Sequence, residues 1–422
     1  MQALVLAAGK GTRMRSGRPK VLHGIFDIPI LAYVLRTLVG LGIRDPKVVV
    51  GSGAGEVRKF LAEETRCSAV RPHVILQREQ KGTGHAVMMA EKLLCRAKGD
   101  VLIWPGDAPL LRKSTLDQFF KAHREAKSEA SCLSSLQVDP AGYGRILRAG
   151  GRFYGIREEL DATASERRIQ EVNAGVYLFK TDRLFWALQK IRPGNRKKEF
   201  YLTDTIQILS EAGGRVTAFP LASPEEGLGI NSQADLAEAT QHMNKREIER
   251  HQAGGVTFVA PEQTFIAPGV SIGRDTVIYP WTYIETDVKI GRGCRIGPFT
   301  KIRKATEIGD RTVIGSFVEV NRSKIGRSVQ IKHLAYFGDS RVGDGTNVGA
   351  GAITANFDGK TKHNTHIGKR VLVGSNTVFV APVTIGDGAK TGAGSVVTGG
   401  TRVKKGEVVV GIPARPLKKR GK

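Results

Sequence analysis

A short apolar run ends in a glycine-rich turn, LVLAAGKGTRM (residues 4–14), and Pro19-Lys20 follows. A strand running into such a turn aims backbone N–H groups at an anion, and Gly9 and Gly11 let phosphate approach the main chain. Lys20 adds a point charge that can offset negative charge building on phosphate oxygens during a transfer. The loop fits neither the Walker pattern nor GxGxxG, so alone it reads equally well as a plain strand-to-helix turn. Two oxygen ligands of the kind a hard cation prefers stand further on, Asp107 in GDAPL and Asn231 in GIN. Taken singly, Asp107 could close an Asx-turn, and Asn231 could cap the helix starting at SQADL. Far downstream, His333 in HLAYFGD is a candidate general base, because a neutral imidazole near pH 7 accepts a proton. The bland alternative is a structural histidine.

The elements that must position these residues differ between the two halves of the chain. Up to about residue 230, short apolar runs (ALVLAA, KVVVGSG, HVILQ, DVLIWPGD) alternate with stretches of helical spacing such as ILAYVLRTLVGLG and GHAVMMAEKLL. That alternation predicts an α/β, Rossmann-like nucleotide-binding domain with a mostly parallel sheet and ligands at the carboxyl ends of its strands. A polar, charged stretch without Gly or Pro, residues 232–253, predicts a linking helix that ends at Gly254-Gly255.

Beyond it the period changes. Ile266, Ile272, Ile278, Ile284, Ile290, Ile296, Ile302, Ile308, Ile314 and Val320 recur at an unbroken six-residue spacing. After a slip of one residue the rhythm resumes at Ile325 and Ile331, and it returns at Ile367, Val373, Phe379 and Ile385. Hexapeptides of this kind predict a parallel β-helix over residues 254–422, with one aliphatic side chain pointing inward per flat face. The segment TANFDGKTKHNTH (354–366) breaks the repeat and predicts an excursion from one corner. Residues 1–231, 232–253 and 254–422 are thus expected to be a catalytic domain, a linker helix and a β-helix.

Composition narrows the class. The chain has 422 residues, 41% hydrophobic and 25% charged, and no apolar run of transmembrane length. It leads straight into a strand without a signal-peptide pattern, so a cytoplasmic protein with no membrane partner is expected. Cys67, Cys95, Cys132 and Cys294 are scattered without a CxxC pair, which predicts reduced thiols and no zinc site. The net charge of +25 is spread along the chain rather than clustered with aromatics, so anionic small molecules are preferred to nucleic acid as partners. Only the tail RPLKKRGK is a dense basic run, expected to be a solvated end.

The GxGTRM loop with its Pro-Lys pair resembles the signature of sugar-nucleotide pyrophosphorylases. QKGTGHA (80–86), GDAPL (106–110), GYGRI (142–146), EVNAG (171–175), EFYLTD (199–204) and GIN (229–231) follow in that family's order. With the hexapeptide half, the chain resembles the bifunctional N-acetylglucosamine-1-phosphate uridyltransferase/glucosamine-1-phosphate acetyltransferase family over nearly its whole length. The resemblance implies acetyl transfer from acetyl-CoA to glucosamine-1-phosphate, followed by uridylyl transfer from UTP with release of pyrophosphate. The product is UDP-N-acetylglucosamine for cell-envelope polymers. It further implies that Leu6, Ala7, Ala8, Gly9 and Lys20 form the nucleotide site, with Gln77, Gly82 and Thr83 at the uracil edge. Gly144, Glu158 and Asn173 would hold the sugar, and Asp107 with Asn231 would hold Mg²⁺.

In the second half, the resemblance implies that His333 is the catalytic base and that Arg303, Tyr336, Asn347 and Lys362 bind the sugar phosphate. Asn356, Phe357, Ser375, Ala393 and Arg415 would meet acetyl-CoA, Asn356 also orienting the amine or the histidine. Family members of this class assemble as homotrimers with acetyl sites between neighbours. The chain departs from the family pattern at Leu160, Ala174, Phe357 and above all Asn321, where a sugar-phosphate lysine is usual. Strand alternation sends Arg322 to the opposite face, so it is not expected to replace that lysine. Two other readings remain open from sequence: a nucleotidyltransferase for another sugar with a purely oligomerising β-helix, and a non-catalytic scaffold of the same ancestry.

Overall fold

The apolar run at the N-terminus becomes the middle of a nine-stranded sheet. In this computed structural model, residues 1–95 and 99–417 are described; the tail residues 418–422 lie outside that range. We label the strands β1 (Gln2–Ala7), β2 (Lys47–Val50), β3 (His73–Leu76), β4 (Asp100–Pro105), β5 (Ala130–Leu136), β6 (Arg145–Ala149), β7 (Arg152–Arg157), β8 (Glu171–Lys180) and β9 (Val216–Pro220). The main path runs β9-β5-β8-β4-β1-β2-β3, with β6 and β7 attached through β8. All neighbours on it pair in parallel except β8, which runs antiparallel between β4 and β5.

Strand β1 is apolar on both faces because both are covered, as a parallel sheet demands. Val5 points into one apolar layer with Leu35, Leu102 and Trp104, while Leu4 points into another with Val49, Ile103 and Phe179. Parallel pairing of β1 with β2 and β4 brings the loops after these strands to one edge. The glycine loop, Ser52 and Asp107 therefore meet there.

The chain folds into two units, Met1–His242 and Met243–Lys422. The division falls inside the helix Gln233–Ala253. That helix opens with a reciprocal cap: the Asp235 N–H donates to Ser232 Oγ (3.1 Å), and the Ser232 N–H donates to Asp235 Oδ2 (3.0 Å).

In the second unit the hexapeptides build three ladders of short parallel strands, and neighbouring strands are three hexapeptides apart, as in Val277 against Arg295 against Val313. The repeating Ile and Val side chains form a single continuous core from Ile266 to Val409. Two longer strands, β10 (Val313–Asn321) and β11 (Gln330–Gly338), bend from one face onto the next and pair along their length.

Corners fix residue choice. At one corner, Gly291 and Gly309 allow no side chain, since a Cβ on either would sit within 2.9 Å of the next coil's backbone. At another corner Trp281, Phe299, Phe317 and Leu334 all take left-handed backbone, with φ from 46° to 59°. Bulky residues disfavour that region, so the stacked coils must hold them there. The insertion leaves the stack as expected, between the strands Ile353–Ala355 and Thr365–Ile367.

The open end of the β-helix core is tied off by Asn244. Its Nδ2 donates to the Thr264 carbonyl (2.7 Å), and its Oδ1 accepts the Ile266 N–H (2.9 Å). Asn244→Ala strands both buried groups, and each orphaned group costs about 1–3 kcal/mol. A lowered thermal midpoint of the β-helix transition, with the N-terminal unit unaffected, is the expected calorimetric result.

Candidate active sites

The edge where the β1, β2 and β4 loops meet is a cleft of about 650 Å³. Leu6, Ala7, Ala8, Gly9, Lys20, Gln77, Gly82, Thr83, Asp107, Glu158, Asn173 and Asn231 all line it. Gly144 does not line it. Its carbonyl instead accepts the Asn173 N–H at 2.8 Å, so it supports a cleft residue from behind. Open space surrounds Gly9 where a Cβ would stand, whereas Gly11, at φ 62°, is kept bare by Lys20 Cβ at 2.8 Å. Protein packing therefore requires the second glycine and leaves room over the first.

Lys20 is the electrostatic centre of this cleft. Its ammonium pairs with Asp107 Oδ2 and donates to Asn231 Oδ1 at 3.0 Å. Asn231 is free to do this because Ser232, not Asn231, caps the following helix. Asp107 likewise commits its carboxylate to Lys20 rather than to a local turn. A cation thus already sits between one carboxylate and one amide oxygen, the donor set a hard divalent ion prefers, and the site fits Mg²⁺. Among the described residues no cluster of three acidic, histidine or cysteine ligands exists, so a Mg²⁺ here would complete its shell with water or substrate oxygens.

Gln77 is buried at 3% exposure, and its Nε2 donates to the Gly82 carbonyl at 3.2 Å. The segment EFYLTD clasps this loop: Gly84 N–H donates to Phe200 O (2.8 Å), Phe200 N–H to Lys81 O (2.8 Å), and Leu202 N–H to Thr83 Oγ1 (3.1 Å). Gly82 has no room for a side chain there, and its φ of 106° needs glycine.

On the cleft's other flank, Asn173 Nδ2 donates to Tyr177 Oη (2.6 Å), and Glu158 Oε1 accepts from Thr203 Oγ1 (3.0 Å). Burial raises the Glu158 carboxyl above its ordinary value. Burial, with Glu158 close by, pushes Asp204 up to about 6. Tyr177 and Lys197 line the cleft and were not singled out from sequence, while Glu199 and Thr203 belong to EFYLTD, which was named without a role for either. Lys197 lies two residues before the quoted EFYLTD, so its charge beside a clasping segment was the available signal.

The second set of residues lies on the β-helix, and the structure divides it into two groups. Tyr336 and Asn356 converge over Gly338: a Cβ there would meet Tyr336 Oη at 2.5 Å and Asn356 Nδ2 at 2.8 Å. Arg303 precedes them in the same stack, one coil below Asn321, with Nη1 donating to Glu319 at 3.1 Å. Lys362 stands on the excursion beside this group, paired through the backbone with Phe357, and lowers the Asp339 carboxyl by its charge. Asp358 fastens the excursion, accepting the Lys360 N–H (2.8 Å) and Thr361 N–H (2.7 Å), with the His363 ring at 2.7 Å.

His333, Asn347, Ser375 and Ala393 do not join that group. His333 opposes Ser316 at the neighbouring corner, and Asn347 pairs with Gln330 on the face before it. The Ser375 N and the Ala393 N lie against the next lower coil's glycine, at Gly349 and Gly374. Arg415 is exposed on a terminal strand antiparallel to Val408–Val410. These residues are thus spread over adjoining faces and corners of the β-helix rather than gathered on one.

Asn321 is buried at 3% exposure, and its Oδ1 has no hydrogen-bond partner. The expectation for Arg322 is corrected. It follows the last residue of β10 with a left-handed φ of 47°, so alternation no longer applies, and it turns toward the Tyr336–Asn356 group. Its guanidinium grips Asp339 through Nε (2.6 Å) and Nη2 (2.8 Å), and Asn356 Nδ2 donates to the same carboxylate. Arg322 and Asn356 hold Asp339 well below the usual carboxylate range.

Comparison with known proteins matches each unit to a class of transferase. Residues 2–223 match the nucleotidyl transferase family, and residues 269–304, 287–322 and 364–399 match the bacterial transferase hexapeptide repeat, whose parallel coils form a left-handed β-helix. The chain is 40% identical to the bifunctional protein GlmU of Halalkalibacterium halodurans, covering 94% of this chain and 93% of that one. It is 41% identical to the GlmU of Heliobacterium modesticaldum (94% and 92% covered) and 37% identical to that of Bacillus subtilis (94% and 93%). The chain belongs to the bifunctional GlmU family.

The raised Asp204 carboxyl has a consequence for stability. Its folded value lies above the unfolded one, so the native state holds the proton more tightly and loses stability as pH rises from about 4 through about 6. Asp204→Asn removes that loss. The variant should be more stable than the parent by about 1 kcal/mol at pH 7.5, after discounting for solvent screening, and equal to it near pH 4. Denaturant titrations at the two pH values measure the difference.

Proposed function

We propose that the chain makes UDP-N-acetylglucosamine in two transfers, one in each unit. The observation that carries the first is the Lys20 ammonium held between Asp107 and Asn231 beneath a glycine loop. In this reaction a phosphate oxygen of N-acetylglucosamine-1-phosphate attacks the α-phosphorus of UTP, and pyrophosphate leaves from the opposite side. No covalent enzyme intermediate is needed, so positioning and charge neutralisation are the protein's task. Lys20 and the amides of residues 8–11 receive the nucleotide phosphates, while Gln77, Gly82 and Thr83 meet the uracil edge. Asn173 and Glu158 hold the sugar hydroxyls, with Gly144 as a support. Asp107 and Asn231 would hold Mg²⁺, which when bound supplies charge neutralisation at the phosphates.

In the second unit, His333 takes a proton from the amine of glucosamine-1-phosphate. The amine nitrogen attacks the thioester carbonyl of acetyl-CoA as that proton leaves it, and the CoA thiolate departs and takes the proton back from the His333 imidazolium. Arg303, Tyr336 and Lys362 bind the sugar phosphate, with Asn347, which pairs with Gln330 on the preceding face, as a further contact. Asn356, Phe357, Ser375, Ala393 and Arg415 face acetyl-CoA. The placing of Asn347 and Ser375 on other parts of the stack than Tyr336 supports an acetyl site completed by a second copy, and a homotrimer is the assembly proposed. The exposed ridge of Trp281, Phe299 and Phe317, stacked at 6.4 and 5.1 Å and ending at Leu334 beside His333, supports contact at that corner. Among the described residues no helix is long and apolar enough to cross a membrane, and a cytoplasmic location suits all four substrates.

The two activities should separate by mutation. Lys20→Ala or Asp107→Ala is expected to abolish pyrophosphate release and leave acetyl transfer intact. His333→Ala should do the reverse, lowering acetyl transfer by roughly 10²- to 10⁴-fold, the usual worth of a general base. Product analysis by mass spectrometry on one purified chain checks both, and a folded variant that loses both activities contradicts two independent sites.

Assembly has its own test. Phe317→Asp places a charge on the aromatic ridge at a left-handed position that Asp tolerates. Sedimentation should show dissociation to monomer, acetyl transfer should fall with it, and uridylyl transfer should persist.

A further inference from the structure

We infer that Arg322 is a binding residue for the phosphate of the acetyl acceptor. The inference rests on the proposed acetyl site in the second unit. The group around Gly338 has a hole in its charge pattern. Arg303, one coil below Asn321, is already engaged by Glu319 at 3.1 Å and Glu285 at 3.5 Å. Between Arg303 and Gly338 stands Asn321, whose buried Oδ1 is an acceptor without a donor. A neutral amide there can donate through Nδ2 but brings no positive charge to a phosphate.

Arg322 fills that hole by geometry. Its left-handed φ carries the side chain round the corner instead of to the far face, and its neighbours include Tyr336 as well as Asp339. A guanidinium has five N–H donors, and the grip on Asp339 uses the Nε hydrogen and one Nη2 hydrogen. Among the described residues the remaining three have no partner, which leaves a planar fork able to meet a phosphate. Asp339, itself fixed by Asn356, holds the fork in place before any ligand arrives. A pre-positioned fork gives up little freedom on binding, and the side chain is only 28% exposed, so its charge is poorly screened. Asp339 offsets part of that charge, but removing Arg322 would leave the bare carboxylate facing the phosphate, so the loss exceeds one missing hydrogen bond.

The test compares Arg322→Gly, which suits the left-handed backbone, with Arg322→Lys. Uridylyl transfer in the same preparations controls for folding. With glucosamine-1-phosphate, Arg322→Gly should raise KM by roughly 10- to 100-fold, the worth of a hydrogen bond to a charged group, with kcat changed far less. Arg322→Lys should recover most of that loss. With glucosamine lacking the phosphate, parent and variants should perform alike. Equal losses on both acceptors, or equal losses in the Gly and Lys variants, would show Arg322 to be a corner brace and overturn the inference. If the parent chain transfers uridylyl groups yet acetylates no glucosamine-1-phosphate, the acetyl-site reading itself fails, whatever the variants do.

Discussion

Parallel strand pairing in register is the constraint on which both units depend. In the first unit it aligns the carboxyl ends of β1, β2 and β4, so that a glycine loop, a lysine and an aspartate distant in sequence share one edge. In the second it repeats every coil above the last, so that residues at equivalent positions form columns. A column of isoleucines becomes the core, a column of glycines becomes a corner, and a column of polar residues becomes a binding surface. A single-residue slip in such a stack moves every later column, and the slip after Val320 lies beside the group around Gly338. Irregularity and chemistry coincide there because a broken column is where a side chain can leave the stack.

Much of this was legible because the periods are long and strict. The six-residue recurrence from Ile266 to Val320 dictates a solenoid core whatever the outward residues are, and that core is what the structure contains. The alternation in the first half likewise marks a parallel sheet. What it hid was β8, an antiparallel strand between parallel neighbours, because an apolar strand buried on both faces reads the same in either direction. Of the residues named for the first site, nearly all line one cleft; Gly144 lies behind Asn173 instead. Asn231 was ambiguous until Ser232 and Asp235 took up the capping role between them.

Other features were out of reach for physical reasons. Tyr177 and Thr203 act in the cleft through partners distant in sequence or along a bulged strand, which no local pattern encodes. The rule that successive strand residues face opposite ways failed for Arg322 because it is a rule about extended backbone, and Arg322 is no longer extended. The wall occupied by each residue named for the second site was harder to read, since the one-residue slip after Val320 and the excursion at 354–366 interrupt the hexapeptide count that assigns a residue to one of three walls. The two sites also differ in readiness. The first holds its key cation on internal partners until phosphates compete for it, whereas the second presents its groups on open walls.

The stacked ridge also gives the protein an optical property. Of its three tryptophans, Trp104 is fully buried, and Trp186 lies between Arg183 and Lys190 at 4.6 and 4.4 Å. Trp281 is 54% exposed and stacks on Phe299 at the bottom of the ridge. Its indole emission therefore reports on whatever covers that corner, while the other two provide a background set by the first unit. Fluorescence of the unlabelled chain is in this sense a gauge of surface occupancy on the β-helix, read independently of either chemical reaction.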